Sequence, residues 1–270
     1  MQRASGSTDD RTIADFGEQW SRYTDNSGYY GSVALLADIF GSLLAVSQLR
    51  GWRVAEIGSG TGRIVNMLLD VGVAHVTAIE PSEAFTVLEQ NTAARQSQVK
   101  LVRDKGEAIG NERDLDLVIS IGVLHHIERP EAIVLAARKS LRPGGKLIVW
   151  LYGREGNGLY LAMFGALRGI TKRFPHRALA AVCSGLNILA DLYIGACRIL
   201  PLPMRNYVLQ VFAKLARDKR YLVIYDQLNP AYARYYKREE AGRLLSDAGF
   251  SDVRLHHRHG YSWTVIGSAE

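Results

Sequence analysis

The sequence has little cysteine and no apolar leader. Its 270 residues include two cysteines, Cys183 and Cys197, and neither belongs to a CxxC pair. A disulfide framework is therefore excluded, a reducing cytoplasm is the expected location, and no metal site is expected. The first ten residues, MQRASGSTDD, lack the apolar core of a signal peptide, so we expect no export.

The composition lacks the bias of a disordered or repetitive chain. Apolar residues make up 47% of the sequence and charged residues 22%, which is ordinary for a soluble globular protein and excludes wholesale disorder. No internal repeat or low-complexity tract is present. The length suffices for one α/β domain that carries an elaboration.

The net charge of +6 comes from one segment of the chain. Residues 153–220 contain eleven Lys and Arg against three Asp and Glu, a net charge of +8, and the remainder carries −2. The basic residues of this segment alternate with long aliphatic runs, whereas nucleic-acid-binding surfaces interleave basic residues with stacking aromatics. Nucleic acid is therefore not the expected partner.

Apolar runs alternate with helical patterns through the first 152 residues, which predicts βαβ units and a parallel sheet. Near the end of the chain, a predicted helix at 238–248 precedes two strands joined by the short link RHG. Three residues cannot make a parallel crossover, so the last strand should be antiparallel. The predicted fold is α/β, with a doubly wound, seven-stranded, mostly parallel sheet. The predicted strands are 52–57, 75–80, 98–103, 114–122, 146–152, 251–257 and 261–267, with further helices at 81–94 and 130–141.

Three regions follow from this pattern. Residues 1–50 should form an N-terminal helical lid segment, and residues 51–152 and 229–270 a Rossmann-like cofactor domain. Residues 153–228 should form a helical insertion after the fifth strand. Asn229 and Pro230 look superficially like a [DN]PP[FY] methylase motif, but they lie beyond the fifth strand and lack the second proline, so they are predicted to form a turn.

Three glycines follow the first predicted strand in the stretch VAEIGSGTGR, residues 54–63. Glycine destabilises helices and strands, so three glycines here need a reason. They indicate a ligand that approaches bare backbone at a helix N-terminus. The pattern is GxGxG rather than the dinucleotide fingerprint GxGxxG. Glu56, two residues before the first glycine, would repel a pyrophosphate but attract an ammonium or sulfonium group. Glu80 ends the second strand, where a carboxylate commonly binds both ribose hydroxyls.

Five motifs in this order resemble the class I S-adenosylmethionine-dependent methyltransferases, in particular those that act on small molecules. They are EIGSGTG at 56–62, Glu80, Asp104 after the third strand, SIGVLHHI at 120–127 and LRPGGKLIV at 141–149. The resemblance covers residues 52–152, and residues 238–267 fit the sixth and seventh strands. It implies S-adenosylmethionine as cofactor and S-adenosylhomocysteine as product.

The resemblance also implies roles for single residues. The glycine loop would surround the methionine part of the cofactor. Glu56 would lie near the amino group of the cofactor, and Glu80 would bind its ribose. Asp104 and the backbone of Lys105 would face the adenine amino group, although the loop RDKGEAIG lacks the alanine and proline usual there. The implied cofactor-binding residues are Glu56, Gly58, Ser59, Gly60, Gly62, Glu80, Pro81, Asp104 and Lys105, with Ile121, Gly122 and Val123 beside the sulfonium.

Methyl transfer needs an aligned nucleophile, exclusion of water and, for some acceptors, a base. His125 and His126 follow the fourth strand beside the expected methyl group, so they are the candidate catalytic bases. A structural role for the pair is the alternative interpretation.

Tyrosines cluster on both sides of the cofactor domain and suggest a pocket for a ring, a sugar or a lipid headgroup. The segment WSRYTDNSGYYGS at 20–32 would fold over the cofactor, and a second cluster follows the insertion. Packing on the core is an equally open interpretation. The candidate substrate residues are Tyr23, Tyr29, Tyr30, Tyr225, Tyr232, Arg234 and Tyr236, with Asp226 and Tyr235 beside them.

The insertion contains a predicted helix at 179–200 that is apolar around most of its circumference. Its polar residues Ser184, Asn187, Asp191 and Arg198 fall within a sector of roughly 60°. Such a surface must be hidden in the core of a lid, in a homodimer or at a membrane interface. The two charges disfavour a spanning helix. A packed lid or homodimer surface is the first expectation, and peripheral membrane contact through residues 178–220 is the second.

Together these features predict an S-adenosylmethionine-dependent methyltransferase that acts on a small-molecule acceptor or one linked to a lipid or glycan. Oxygen is the expected target atom. Two alternatives stay open from the sequence: an NAD(P)-dependent oxidoreductase, and a non-catalytic protein that binds S-adenosylmethionine.

Overall fold

A computed structural model describes residues 7–171, 174, 176–228 and 232–270. The predicted turn at 229–230 lies outside the described residues. The seven strands are β1 Arg53–Ile57, β2 His75–Ile79, β3 Val99–Val102, β4 Leu115–Ile121, β5 Leu141–Tyr152, β6 Ser251–Arg258 and β7 Ser262–Ser268. The described α-helices are α1 Thr8–Arg22, α2 Val33–Phe40, α3 Arg63–Val71, α4 Phe85–Thr92, α5 Glu131–Ser140, α6 Gly158–Thr171, α7 His176–Ile199, α8 Arg205–Gln210, α9 Arg217–Leu228 and α10 Arg238–Ser246.

The sheet confirms the predicted fold class. Its seven strands lie in the order β3-β2-β1-β4-β5-β7-β6. The first five strands pair in parallel, whereas β7 pairs antiparallel with β5 and with β6. The strand order reverses between β1 and β4, and in open α/β sheets ligands bind at the carboxyl ends of the strands beside such a switch point.

Two element boundaries differ from the prediction by four or more residues. Helix α4 begins at Phe85 rather than at residue 81, because the Ser82 hydroxyl accepts a hydrogen bond from the Ala84 N–H at 3.2 Å and holds the chain in a turn. Strand β5 begins at Leu141 rather than at residue 146, and its pairing with β4 shifts register between Leu115 and Leu117.

Both faces of the sheet are covered by apolar layers. On one face, α2 and α3 contribute Leu36, Phe40 and Leu68 to a large buried cluster. On the other face, α5 and α10 contribute Ile133 and Leu245 to a second. This double coverage explains why the central strands read as nearly continuous apolar runs.

Helices α6 to α9 form the insertion, which has small cores of its own. Leu179 and Cys183 of α7 pack against Ile224 and Leu228 of α9. The polar residues of α7 also meet α9: the Asn187 side-chain amide donates to the Arg217 carbonyl at 2.8 Å. Asp191 forms ion pairs with Arg217 and with Arg220, the latter at 2.7 Å. Much of the predicted polar sector of α7 therefore serves packing within the insertion.

The N-terminal segment is fixed to the insertion by polar contacts. The buried Lys219 ammonium donates to the backbone carbonyl and to the carboxylate of Asp25, both at 2.6 Å. The Tyr23 hydroxyl donates to the Tyr221 hydroxyl at 3.2 Å. These contacts join the segment after α1 to α9.

An ion pair ties α2 to the end of β6. Arg258 is 3% exposed, and its guanidinium donates from Nε and Nη2 to Asp38 Oδ2 at 2.8 and 2.6 Å. His259 Nε2 lies 2.7 Å from the other oxygen of Asp38. Because Arg258 is buried, its charge depends on this carboxylate for compensation.

Replacing Asp38 with alanine should strongly destabilise the fold. An unpaired buried charge typically costs roughly 3–5 kcal/mol of unfolding free energy. Urea denaturation measures the difference. The control is Glu18→Ala, which removes the exposed pair between Glu18 and Arg22 and should cost less than roughly 1 kcal/mol. Equal losses in the two variants would contradict the role given to Asp38.

Candidate functional site

The glycine loop after β1 adopts a backbone conformation that side chains rarely allow. Gly58 and Gly60 have φ angles of +75° and +51°. A Cβ atom at Gly58 would lie 2.4 Å from a methyl carbon of Val123, so a side chain cannot fit there. A Cβ at Gly60 would meet only Trp20, at 3.8 Å, so this backbone stays open to a ligand. Gly62 is the N-cap of α3, and a Cβ there would lie 2.9 Å from the Leu88 side chain rather than in that space.

Glu80 fixes the loop from the end of β2. Its carboxylate is buried, and its Oε2 accepts from the Gly60 N–H at 2.8 Å while its Oε1 accepts from the Ser82 N–H at 2.9 Å. A carboxylate offers about four acceptor positions, so two hydrogen bonds leave capacity for a diol. Glu80 can therefore hold the loop and bind a ribose at the same time.

Glu56 is a buried carboxyl on the cavity side of the glycine loop. It is 1% exposed, and its Oε2 has no hydrogen-bond partner among the described residues. Burial raises the pKa of Glu56 to about 8, although Arg63 opposes this shift. A buried acceptor without a partner is costly, so its presence beside the glycine loop fits a cationic ligand group such as an ammonium.

A single cavity of about 850 Å³ runs from this loop to the inner side of the insertion. At the sheet end its wall includes the glycine loop, both carboxylates and the residues after β4. In the middle it is aromatic, with Trp20, Trp150 and Tyr152. At the far end it is apolar, and it includes Leu159, Met163, Phe164, Leu186, Leu189, Ile194, Val208, Val211 and Phe212.

The two histidines after β4 have different surroundings. His126 lines the cavity, and its Nδ1 lies 2.8 Å from the Tyr232 carbonyl oxygen. Since a carbonyl only accepts, the proton is on Nδ1 and the lone pair of the neutral ring is on Nε2. His125 is fully buried behind the wall, where its ring centroid lies 3.8 Å from that of Tyr152. Of the two predicted bases, only His126 has access to the cavity.

Asp226 on α9 also contributes to the cavity wall. Its Oδ1 accepts a hydrogen bond from the Gln19 side-chain amide of α1, and burial raises the pKa of Asp226 to about 7. The sequence suggested Asp226 only as a neighbour of candidate tyrosines. No motif links it to Gln19, which lies 207 residues away.

The structure brings most of the predicted cofactor residues to the cavity wall. Those lining it are Glu56, Gly58, Ser59, Gly60, Glu80, Pro81, Lys105, Ile121, Gly122 and Val123. Asp104 is exposed and lies away from the wall, where its carboxylate accepts from the Lys105 N–H at 2.7 Å. Its role toward adenine, like the other roles, stays a prediction.

The predicted substrate residues divide in the same way. Tyr30 lines the cavity, whereas Tyr23 and Tyr225 pack as tilted rings beside Tyr221. Tyr235 takes the place on the wall that was expected of Tyr236. The reason is that the Tyr236 N–H pairs with the Tyr152 carbonyl as an added sheet bridge, and alternation along this strand turns Tyr235 inward. Tyr29, Tyr232 and Arg234 also lie away from the wall.

Comparison with known proteins finds methyltransferases. A family described as "Methyltransferase domain" matches residues 55–147. A ubiquinone biosynthesis O-methyltransferase of Hydrogenovibrio crunogenus is 24% identical over 162 residues, which cover 58% of this chain and 67% of that protein. A tRNA U34 carboxymethyltransferase of Pseudoalteromonas translucida is 31% identical over 116 residues, 42% of this chain and 35% of that protein.

The fold has solved counterparts. The structure of human N-acetylserotonin methyltransferase in complex with SAM aligns with a TM-score of 0.51 at 13% identity, covering 96% of this chain and 56% of that chain. The chain thus spans between about a third and two thirds of the length of these three proteins.

The sheet order, with a glycine loop and two carboxylates at its switch point, defines an α/β protein that binds a nucleoside cofactor. Residues 55–147 carry the methyltransferase domain, and the cofactor is S-adenosylmethionine. The family identified from sequence motifs is confirmed, and none of the three proteins above is an oxidoreductase.

The substitution Glu56→Gln should separate stability from cofactor binding. The folded pKa of about 8 lies above the ordinary 4.5, so this carboxyl stabilises the ligand-free fold at low pH and loses that contribution as the pH rises toward 8. The variant should lack this decline and be more stable than the wild type at pH 8. It should also bind S-adenosylhomocysteine at least roughly 30-fold more weakly, since a buried charge partner is lost.

Thermal unfolding between pH 5 and 8 and titration calorimetry measure the two effects. Glu83→Gln is the matched control, because Glu83 forms an exposed pair with Arg103 and should change neither quantity. Unaltered affinity in Glu56→Gln would contradict the role of Glu56.

Proposed function

We propose that this protein transfers the methyl group of S-adenosylmethionine to a hydroxyl oxygen on an apolar acceptor that contains a planar ring. We call the glycine loop, Glu56 and Glu80 the cofactor cradle. The observation that carries the proposal is the single cavity that joins this cradle to an aromatic middle and an apolar far end. A small polar acceptor would leave most of that wall unmatched, whereas a ring with an apolar extension matches it along its length.

On the cofactor side, the protein supplies position and charge. S-adenosylmethionine itself carries the activated methyl group. Glu56 pairs with the amino group of the cofactor, and Glu80 accepts from its ribose hydroxyls. Gly122, with a φ of +82° and no atom near its missing Cβ, leaves open space at the end of β4. The acceptor oxygen approaches the cofactor through this space.

On the acceptor side, the aromatic middle of the cavity forms a slot for a ring. Tyr152 and Tyr235 stack with centroids 5.3 Å apart, and Trp150 meets Tyr152 edge to face at 5.5 Å. Fixed aromatic walls orient a flat group and exclude water from the reacting atoms. The apolar residues beyond the slot accommodate a hydrophobic extension of the acceptor.

The acceptor hydroxyl must lose a proton during transfer to oxygen. His126 is the first candidate base, because its ring lines the cavity and carries its lone pair on Nε2. Asp226 is the second candidate, because a carboxyl with a pKa of about 7 is half ionised at neutral pH. With Asp226 as the base, the rate should rise with pH through the neutral range.

One of the named relatives supports oxygen as the target atom. The protein of Hydrogenovibrio crunogenus is described as an O-methyltransferase of ubiquinone biosynthesis. Ubiquinone combines a ring with a long apolar chain, which agrees with the aromatic slot and the apolar far end. The acceptor proposed here is accordingly a phenol or hydroquinone with an apolar substituent.

Transfer of labelled methyl from S-adenosylmethionine tests the proposal against three groups of acceptors: alkylated phenols and hydroquinones, small polar phenols, and total RNA. Label should enter the alkylated compounds with a KM that falls as the alkyl chain lengthens. The methylated oxygen is identified by mass spectrometry. Label in RNA alone, or in none of the three groups, would overturn the proposal.

His126→Gln should lower the turnover number by roughly 10²-fold or more, as expected for a lost general base. The affinity for S-adenosylhomocysteine should change by less than about threefold, because the glycine loop is untouched. His75→Gln, a change on β2 outside the cavity wall, is the control. If Asp226→Asn loses the neutral pH dependence and His126→Gln retains it, Asp226 takes the role of the base.

A further inference from the structure

The side of α7 that faces away from the protein is apolar. Leu179, Cys183, Ile194 and Cys197 turn inward and are buried. Asn187 and Asp191 bind α9. The remaining stripe carries large exposed residues, among them Ile188 at 63%, Leu192 at 71% and Ile199 at 84% exposure. A helix on the surface of a soluble protein normally presents its polar residues there, so this arrangement is inverted.

Helix α6 also presents apolar side chains to the outside, and it shares the cavity wall with α7. Leu159, Met163 and Ile170 recur at helical spacing and are all exposed. The outer apolar face is defined here as Leu159, Met163, Ile170, Ile188, Leu189, Leu192, Ile199 and Leu200. Contiguous exposed apolar patches mark sites of contact with another apolar surface.

The cavity opens on this face. Leu159, Met163, Leu189 and Tyr193 belong both to the cavity wall and to the exposed large apolar residues. The mouth of the acceptor cavity is therefore framed by side chains that face outward. A second protein copy on this face would close the mouth, whereas a lipid surface would supply hydrophobic molecules to it.

The sequence of the segment that carries the outer apolar face has a net positive charge, which favours an anionic partner. Residues 156–190 include Arg168, Lys172, Arg173 and Arg177 and no Asp or Glu. On α7, Arg198 is exposed and forms no ion pair within the described parts of the chain. Basic residues next to a membrane surface are attracted to anionic lipid by about 1 kcal/mol each.

We propose that the outer apolar face rests on an anionic lipid surface, with the cavity mouth turned toward the lipid. The entry of an apolar acceptor by this route rests on the function proposed above. The segment Ala178–Ile199 is long and apolar enough to cross a membrane by length and composition. Its ion pairs through Asp191 and its contacts with α9 instead keep it in the insertion, so it lies on the membrane without spanning it.

Vesicle sedimentation tests the surface directly. The full chain should bind vesicles of phosphatidylcholine and phosphatidylglycerol in equal parts more tightly than vesicles of phosphatidylcholine alone. The double substitution I188E and L192E should weaken binding at least roughly tenfold, because charges enter the apolar boundary. Leu135→Glu is the matched control: Leu135 is 46% exposed on α5, outside this face, and its replacement should leave vesicle binding unchanged.

The orientation of the mouth has a separate readout. A fluorophore on Met163→Cys should lose emission when the vesicles contain brominated lipid, and one on Leu135→Cys should not. The two native cysteines are buried, which favours selective labelling. Absence of vesicle binding, equal binding by the double variant, or a concentration-dependent dimer that the double variant abolishes would overturn the proposal.

Titration with S-adenosylhomocysteine keeps this test distinct from that of methyl transfer. The double variant should retain the wild-type affinity, which also shows that it is folded. Vesicle binding without methyl transfer would contradict the proposed function but not the proposed contact with lipid. Methyl transfer without vesicle binding would contradict the lipid contact alone.

Discussion

The physical constraint on which the cofactor site depends is the burial of one carboxyl, that of Glu56. Glu56 lies at the carboxyl end of β1, with an orphaned oxygen and a raised pKa. Burying such a group destabilises the ligand-free fold, since the carboxyl must either stay protonated or ionise without a partner. A cationic group bound beside this carboxyl would relieve the cost, which is the physical basis of the role proposed for Glu56 toward the cofactor.

The strand order, Glu80 and the insertion determine the surroundings of Glu56. The strand order places the ends of β1, β2 and β4 side by side, so that Glu56, Glu80 and Gly122 line one cavity from three strands. Glu80 holds the Gly60 backbone in the left-handed region, where a side chain would be strained. The insertion extends the same cavity outward. The cofactor domain is thereby joined to a cavity whose far end is made by helices of the insertion.

Local sequence patterns predicted most of the fold and the residues of the cofactor cradle. The strands and the antiparallel ending were predictable because they depend on hydrophobic runs and link length, and the cradle because its residues follow strand ends in sequence order. The acceptor side was less predictable. Tyr235 rather than Tyr236 faces the cavity because of one backbone bridge, and Asp226 meets Gln19 only after the chain has folded. The polar sector of α7 was visible in the sequence, but its partner α9 was not, and that pairing leaves the apolar stripe outside.

The most direct test of the central claim is a carbon-13 NMR titration of the Glu56 side-chain carboxyl, assigned with Glu56→Gln, with and without S-adenosylhomocysteine. In the ligand-free protein the carboxyl should titrate near pH 8. In the complex it should remain ionised throughout the neutral range, because the ammonium of the ligand compensates its charge. A titration curve that the ligand leaves unchanged would contradict the account.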